Sequence, residues 1–141
     1  MGQIDQNPHD QMMRLITARW ITEPIRIAVE LGIPDRLAAG PEAVEVLAGE
    51  AGADEQVLYR VLRALASVGI LEEDGGRRFG LTPQGGCLRE SAMAPLARFF
   101  LAPWHDEAWS ALDVAVREGR TPFDAAHGLG AFDWFSHNPE A

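Results

Sequence analysis

Four histidines, one cysteine, a His-Asp pair and a short Gly-Leu-Gly segment are the residues with catalytic, metal-binding or nucleotide-binding chemistry to offer. His9, His105, His127 and His137 nowhere fall at i, i+4 on one helix, a spacing that lets two imidazoles share a metal, so surface or capping roles are expected. Cys87 stands alone, which excludes an internal disulfide framework and a cysteine zinc site. His105-Asp106 has the composition of half a catalytic dyad, but neighbours on a helix point about 100° apart and pair poorly. Gly128-Leu129-Gly130 is a fragment of a phosphate-cradling loop with no hydrophobic strand before it. The sequence therefore offers no catalytic, cofactor-binding or metal-ligating residue.

Two other groups of side chains invite a binding hypothesis. Gln56, Tyr59, Arg60 and Arg63 fall on the outer face of one predicted helix, and Arg77 and Arg78 lie in a predicted hairpin, where a DNA reader would carry its contacts. Electrostatics argues against that reading. From Glu55 to Glu90, five arginines meet five carboxylates, and the chain as a whole carries a net charge of −9. Backbone contacts supply much of the affinity for DNA and need a basic face. DNA binding and attachment to anionic membranes are not expected, and the arginines read as partners in surface ion pairs worth under ~1 kcal/mol each. The second group is aromatic: Trp104, Trp109, Phe123, Phe132, Trp134 and Phe135. Taken by itself it reads as ordinary core.

The elements that must position these groups follow from periodicity. With 141 residues, 47% hydrophobic and 23% charged, the chain reads as a single globular domain. Residues 1–9 read as a flexible leader and 10–141 as the domain. No apolar run approaches the ~18–20 residues that span a bilayer, and no basic-then-apolar signal opens the chain, so a cytoplasmic location is expected. Val44, Leu47, Ala48 and Ala51 mark one helix, ended by Gly52. Asp54 caps another, with Leu58, Val61, Leu62, Leu65 and Ala66 as its core stripe. Ile70–Glu73 and Arg77–Leu81 flank Asp74-Gly75-Gly76 as a β-hairpin, and Thr82-Pro83 starts a short helix. Helix, turn, helix and hairpin over about residues 41–90 predict a winged helix in a mainly α fold. Residues 92–102 and 104–118 each read as one further helix.

The opening helix, about residues 10–31, carries apolar side chains on most of its circumference, and Pro24 is expected to kink or break it. Such a helix cannot lie bare on a small monomer. Either the rest of the domain wraps over it or a second copy covers it; Met13, Ile16, Trp20, Ile21 and Ile25 are assigned to a homodimer interface. Covering the last four is worth roughly 6–12 kcal/mol before association costs.

Four stretches in this order and spacing resemble the N-terminal half of plant-type and bacterial small-molecule O-methyltransferases. They are residues 28–37 (Ala28 to Leu37), 58–69 (Leu58 to Gly69), 79–83 (Phe79 to Pro83) and 132–140 (Phe132 to Glu140). The resemblance runs from about Met12 to the last residue. It implies flanking helices that intertwine into a dimer, and a winged helix that does not read DNA. It also implies that a following Rossmann-like domain binds S-adenosylmethionine and supplies the base. That domain is absent from these 141 residues, so the chain alone is expected to bind no cofactor and to methylate nothing. Family analogy places Asp106, Trp109, Leu112, Ala131 and Phe135 near the acceptor pocket, with Asp106 as the polar group that orients a flat aromatic substrate. The expected role is a dimerisation and substrate-pocket module whose catalytic half is missing or on a separate polypeptide. The rivals are a free-standing binder of small aromatics in a natural-product pathway and a winged-helix transcription regulator.

Overall fold

A computed structural model describes residues 7–141. The chain divides into two compact units, Met1–Ala94 and Pro95–Ala141, where its length alone predicts one domain.

In the first unit, Asn7 caps α1 (Pro8–Ile16) by accepting from the His9 amide, and α2 (Arg19–Glu30) follows. Two residues of the expected leader, Pro8 and His9, thus belong to a helix; residues 1–6 lie outside the described residues. The helix is not broken at Pro24. Pro24 sits inside α2, and the interruption falls at Thr17 and Ala18 instead. Thr17 turns its hydroxyl back to the Met13 carbonyl at 2.7 Å, a local bond that competes with continued helix. Pro24 leaves unbonded the carbonyl of Trp20, an exposed residue that water can reach. Gly32 then takes a left-handed conformation (φ 66°) that ends α2 and starts α3 (Ile33–Leu37).

The expected winged helix follows. β1 (Glu42–Ala43) leads into α4 (Val44–Ala51) and α5 (Glu55–Ser67), then β2 (Leu71–Glu73), β3 (Arg78–Leu81) and the one-turn α6 (Pro83–Gly86). Asp54 caps α5 by accepting from the Val57 amide at 2.9 Å. The three strands lie in the order β1-β3-β2, all antiparallel, with Phe79 of β3 opposite Glu42 on one side and Glu73 on the other. β1 escapes sequence reading because two residues show no alternation. It forms by pairing with the open edge of β3. The core beneath the sheet is built from Ile33, Val44, Leu47, Leu62, Leu65 and Phe79, all fully buried.

Thr82 pins the hairpin to the end of α5. Its hydroxyl lies 2.7 Å from the Gly69 carbonyl and 2.8 Å from that of Ile70, and it accepts from the Gly85 amide. The approach is so close that a Cβ on Gly85 would fall on the Ile70 carbonyl oxygen and press Leu81. Gly85→Ala is therefore expected to destabilise the fold by about 1–3 kcal/mol, read as a lower urea midpoint at unchanged slope.

The second unit is helical: α7 (Ala94–Phe100, its first residue belonging to the first unit), α8 (Pro103–Ser110), α9 (Leu112–Glu118), α10 (Pro122–His127) and α11 (Ala131–His137). The single helix expected over 104–118 is two. Ser110 donates back to the Asp106 carbonyl at 2.9 Å, and Ala111 leaves helical geometry at φ −94°, ψ 13°. α8 and α10 pack side by side. Among the described residues, no helix is long and apolar enough to cross a membrane.

Candidate functional site

Of the two places that can do work, the first is α1 and the start of α2. No residue of α1 is buried. Met13 is 54% exposed, Ile16 69% and Trp20 72%, so three of the five residues assigned to an interface lie bare in the isolated chain. The other two do not. Ile21 is half-buried, and Ile25 packs on the core of its own unit, because α2 turns that side toward α5. Met12 and Leu15, left out of the sequence assignment, are exposed instead. At about 100° per residue, Met12, Met13, Leu15 and Ile16 cover about 160° of α1. Their consecutive spacing was the available signal, obscured by reading 10–31 as one continuous stripe.

The second place is the aromatic centre of the second unit. Trp104 lies 5.1 Å from Phe99, 5.1 Å from Phe135 and 5.6 Å from Trp134, ring centre to ring centre. His127, which sequence reading gave no particular role, closes the cluster. Its side chain is 6% exposed, its ring lies 4.4 Å from Phe123, and its Nε2–H donates to the Trp104 carbonyl at 2.8 Å. His105 stacks on Trp104 at 5.2 Å, and among the described residues its buried Nδ1 has no hydrogen-bond partner. The side chains thus form packing contacts where the sequence suggested half a dyad.

An open cavity of about 740 Å³ borders this cluster, walled by Phe99, Trp104 and Trp134 and edged by Arg98, Glu107 and Glu140. None of the five residues expected at an acceptor pocket lines it. Phe135 is inside the aromatic cluster, Asp106 and Ala131 are half-buried, and Trp109 and Leu112 are exposed.

On the winged helix Arg63, Arg77 and Arg78 are engaged, while Arg60 is exposed. Tyr59 donates to Glu73 at 2.7 Å, and Arg63 approaches the same carboxylate at 3.4 Å. Arg77 pairs with Glu55 at 2.9 Å while its guanidinium covers the Tyr59 ring at 4.4 Å. Arg78 donates to the Pro41 carbonyl at 2.7 Å. The outer face of α5 and the wing are therefore tied to each other by opposite charges.

The hydrogen bond to Glu73 holds the Tyr59 hydroxyl above its ordinary pKa, with desolvation and the Glu73 charge adding to the effect. A value raised in the folded state means that the stabilisation is whole below the unfolded tyrosine value of about 10 and is lost as pH rises through the folded value. Urea midpoints from roughly pH 8 to 11 should fall less steeply for Tyr59→Phe than for the parent.

Fold and surface together define a winged-helix association domain, with its polar face closed by ion pairs and an apolar helix left uncovered. The comparisons agree. The family described as the O-methyltransferase dimerisation domain matches residues 13–91. The mitomycin biosynthesis 6-O-methyltransferase of Streptomyces lavendulae is 37% identical over 131 residues, 90% of this chain and 38% of that protein. The phenazine O-methyltransferase PhzM of Lysobacter antibioticus is 34% identical over 137 residues, 92% of this chain and 39% of that protein. The crystal structure of LaPhzM superposes with a TM-score of 0.89 at 32% identity, covering 96% of this chain and 41% of that one. This chain belongs to the O-methyltransferase dimerisation-domain family. It spans about 40% of the length of the relatives it matches.

The one glycine-rich segment singled out in the sequence is a helix-to-helix connection. Gly128 caps the end of α10 at φ 72° and Gly130 caps the start of α11, so Gly128-Leu129-Gly130 joins two short helices. Among the described residues, no strand precedes it in the second unit to aim its amides at a ligand.

Proposed function

We propose that this chain is the dimerising part of a small-molecule methyltransferase. Two copies would bury the α1 face of one against the other, with Met13, Ile16 and Trp20 at the centre. One observation carries the reading: within the family match, large apolar side chains stand bare on a helix that has no buried residue of its own. Soluble monomers rarely leave such a patch open. Covering Met13, Ile16 and Trp20 yields about 1.5–3 kcal/mol each, enough with the surrounding contacts to offset the cost of association. Sedimentation velocity over a dilution series is expected to give a dimer that dissociates on dilution. A compact single chain at every concentration would overturn the reading.

S-adenosylmethionine and the catalytic base belong, on this reading, to a Rossmann-like half on the same or a separate polypeptide. Asp106, Trp109, Leu112, Ala131 and Phe135 serve as walls of the acceptor site once that half is in place. The exposure of Trp109 and Leu112 favours this, since both are free to meet a ligand or a further domain. A free-standing binder of small aromatics is the second reading, favoured by the open aromatic cavity. The balanced charge of residues 55–90 and the ion pairs of Arg63 and Arg77 favour neither DNA binding nor a regulator.

A further inference from the structure

The cavity of the second unit has a chemistry that none of the residues assigned above uses. Its size, about 740 Å³, lies within the range of ordinary small-molecule sites. Three of its walls are aromatic rings, Phe99, Trp104 and Trp134. Phe99 is 43% exposed while Trp104 and Trp134 are half-buried, so the wall keeps open ring surface beside a packed cluster. The charged lining residues are Glu107 and Glu140 against Arg98, and the Glu107 carboxylate also lies 3.7 Å from His127 Nδ1. Arg98 also has an interaction within the protein. The surroundings carry the same sign. Residues 95–141 hold seven carboxylates and three arginines, a net of −4 with histidines neutral.

Aromatic faces are negative at their centres, and carboxylates at the rim add to that field. A hydrophobic anion would enter against both. A neutral aromatic would gain only the apolar walls, while an organic cation gains walls, ring faces and rim together. We propose that this cavity is a binding site for a flat organic cation, of the quaternised aromatic amine class. The site is separate from the acceptor walls in the preceding section, because none of Asp106, Trp109, Leu112, Ala131 and Phe135 lines it.

The test is calorimetric titration of the full chain with three probes of similar shape: 1-methylquinolinium, neutral 1-methylnaphthalene and anionic 1-naphthoate. The cation is expected to bind saturably and about tenfold more tightly than the neutral probe, with the anion weakest. Trp134→Leu, which keeps an apolar filler but removes the ring face, is expected to lose that preference. Glu107→Gln is expected to weaken the cation alone and to leave the neutral probe unchanged. Thermal unfolding of both variants checks that they fold; if Trp134→Leu does not, Glu107→Gln decides alone, since its side chain is 65% exposed. Equal affinity for cation and neutral probe, no saturable cation binding, or a Glu107→Gln variant that binds the cation as before would each overturn the proposal. So would cation binding only in the dissociated chain, which would mean that a second copy occupies the cavity. Dimerisation through α1 is read separately by sedimentation, so either proposal can fail without the other.

Discussion

Trp20→Asp is expected to turn the dimer into a monomer, with the sedimentation coefficient falling to that of one chain at concentrations where the parent remains paired. The indole is 72% exposed in the single chain, so its replacement removes almost nothing from that chain's own packing. Its loss from an interface costs about 2–3 kcal/mol of apolar burial, and a carboxylate left dry there costs several kcal/mol more unless water enters. At about 1.4 kcal/mol per tenfold, the dissociation constant of the dimer is expected to rise by at least about a hundredfold. The helical circular dichroism of the variant should stay that of the parent, because α1 keeps its Asn7 cap and its backbone bonds. A variant that sediments as the parent dimer would remove Trp20 from the interface and leave Ile16, Met13 and Leu15 to be tested in its place.

Phe79→Ala is expected to do the opposite: to leave any α1 face intact and unfold the first unit that carries it. The ring is fully buried, meets Tyr59 edge to face at 5.9 Å, and sits on the central strand of the three. Emptying that site costs about 3–5 kcal/mol, against a total stability of about 5–15 kcal/mol for an ordinary domain. The thermal midpoint should drop steeply, with loss of protease resistance in residues 40–90 at temperatures where Trp20→Asp is still folded. Similar midpoints for Phe79→Ala and the parent would mean that the sheet is not what holds the winged helix together. The two substitutions separate association from folding: one acts on a bare side chain, the other on a hidden one.

How much of this was legible before any coordinates depends on how local the cause is. The stop at Gly52, the cap at Asp54, the Leu58-Leu62-Leu65 stripe and the start at Thr82-Pro83 were all legible, because each rests on a bond or a periodicity within a few residues. The break between α1 and α2 was misplaced by the same logic. Pro24 is a strong local signal, while the hydroxyl of Thr17 turning back on Met13 is a weak one that won where water could serve the Trp20 carbonyl.

The sequence by itself determined the winged helix, the family, and the presence of more apolar surface near the start than a lone chain can hide. The winged helix and the apolar surface follow from composition, spacing and nearest neighbours along the chain, and the family from the resemblance of four stretches. Only the tertiary structure decided which apolar residues remain bare. Ile25 went to the core of its own unit and Met12 and Leu15 did not, since helix rotation is set by packing between elements distant in sequence. The same cause decided that Trp104 and Trp134 face one cavity, and that Arg63 and Arg77 meet Glu73 and Glu55. A side chain's partner across the fold depends on the summed geometry of every turn between them, which no local pattern contains.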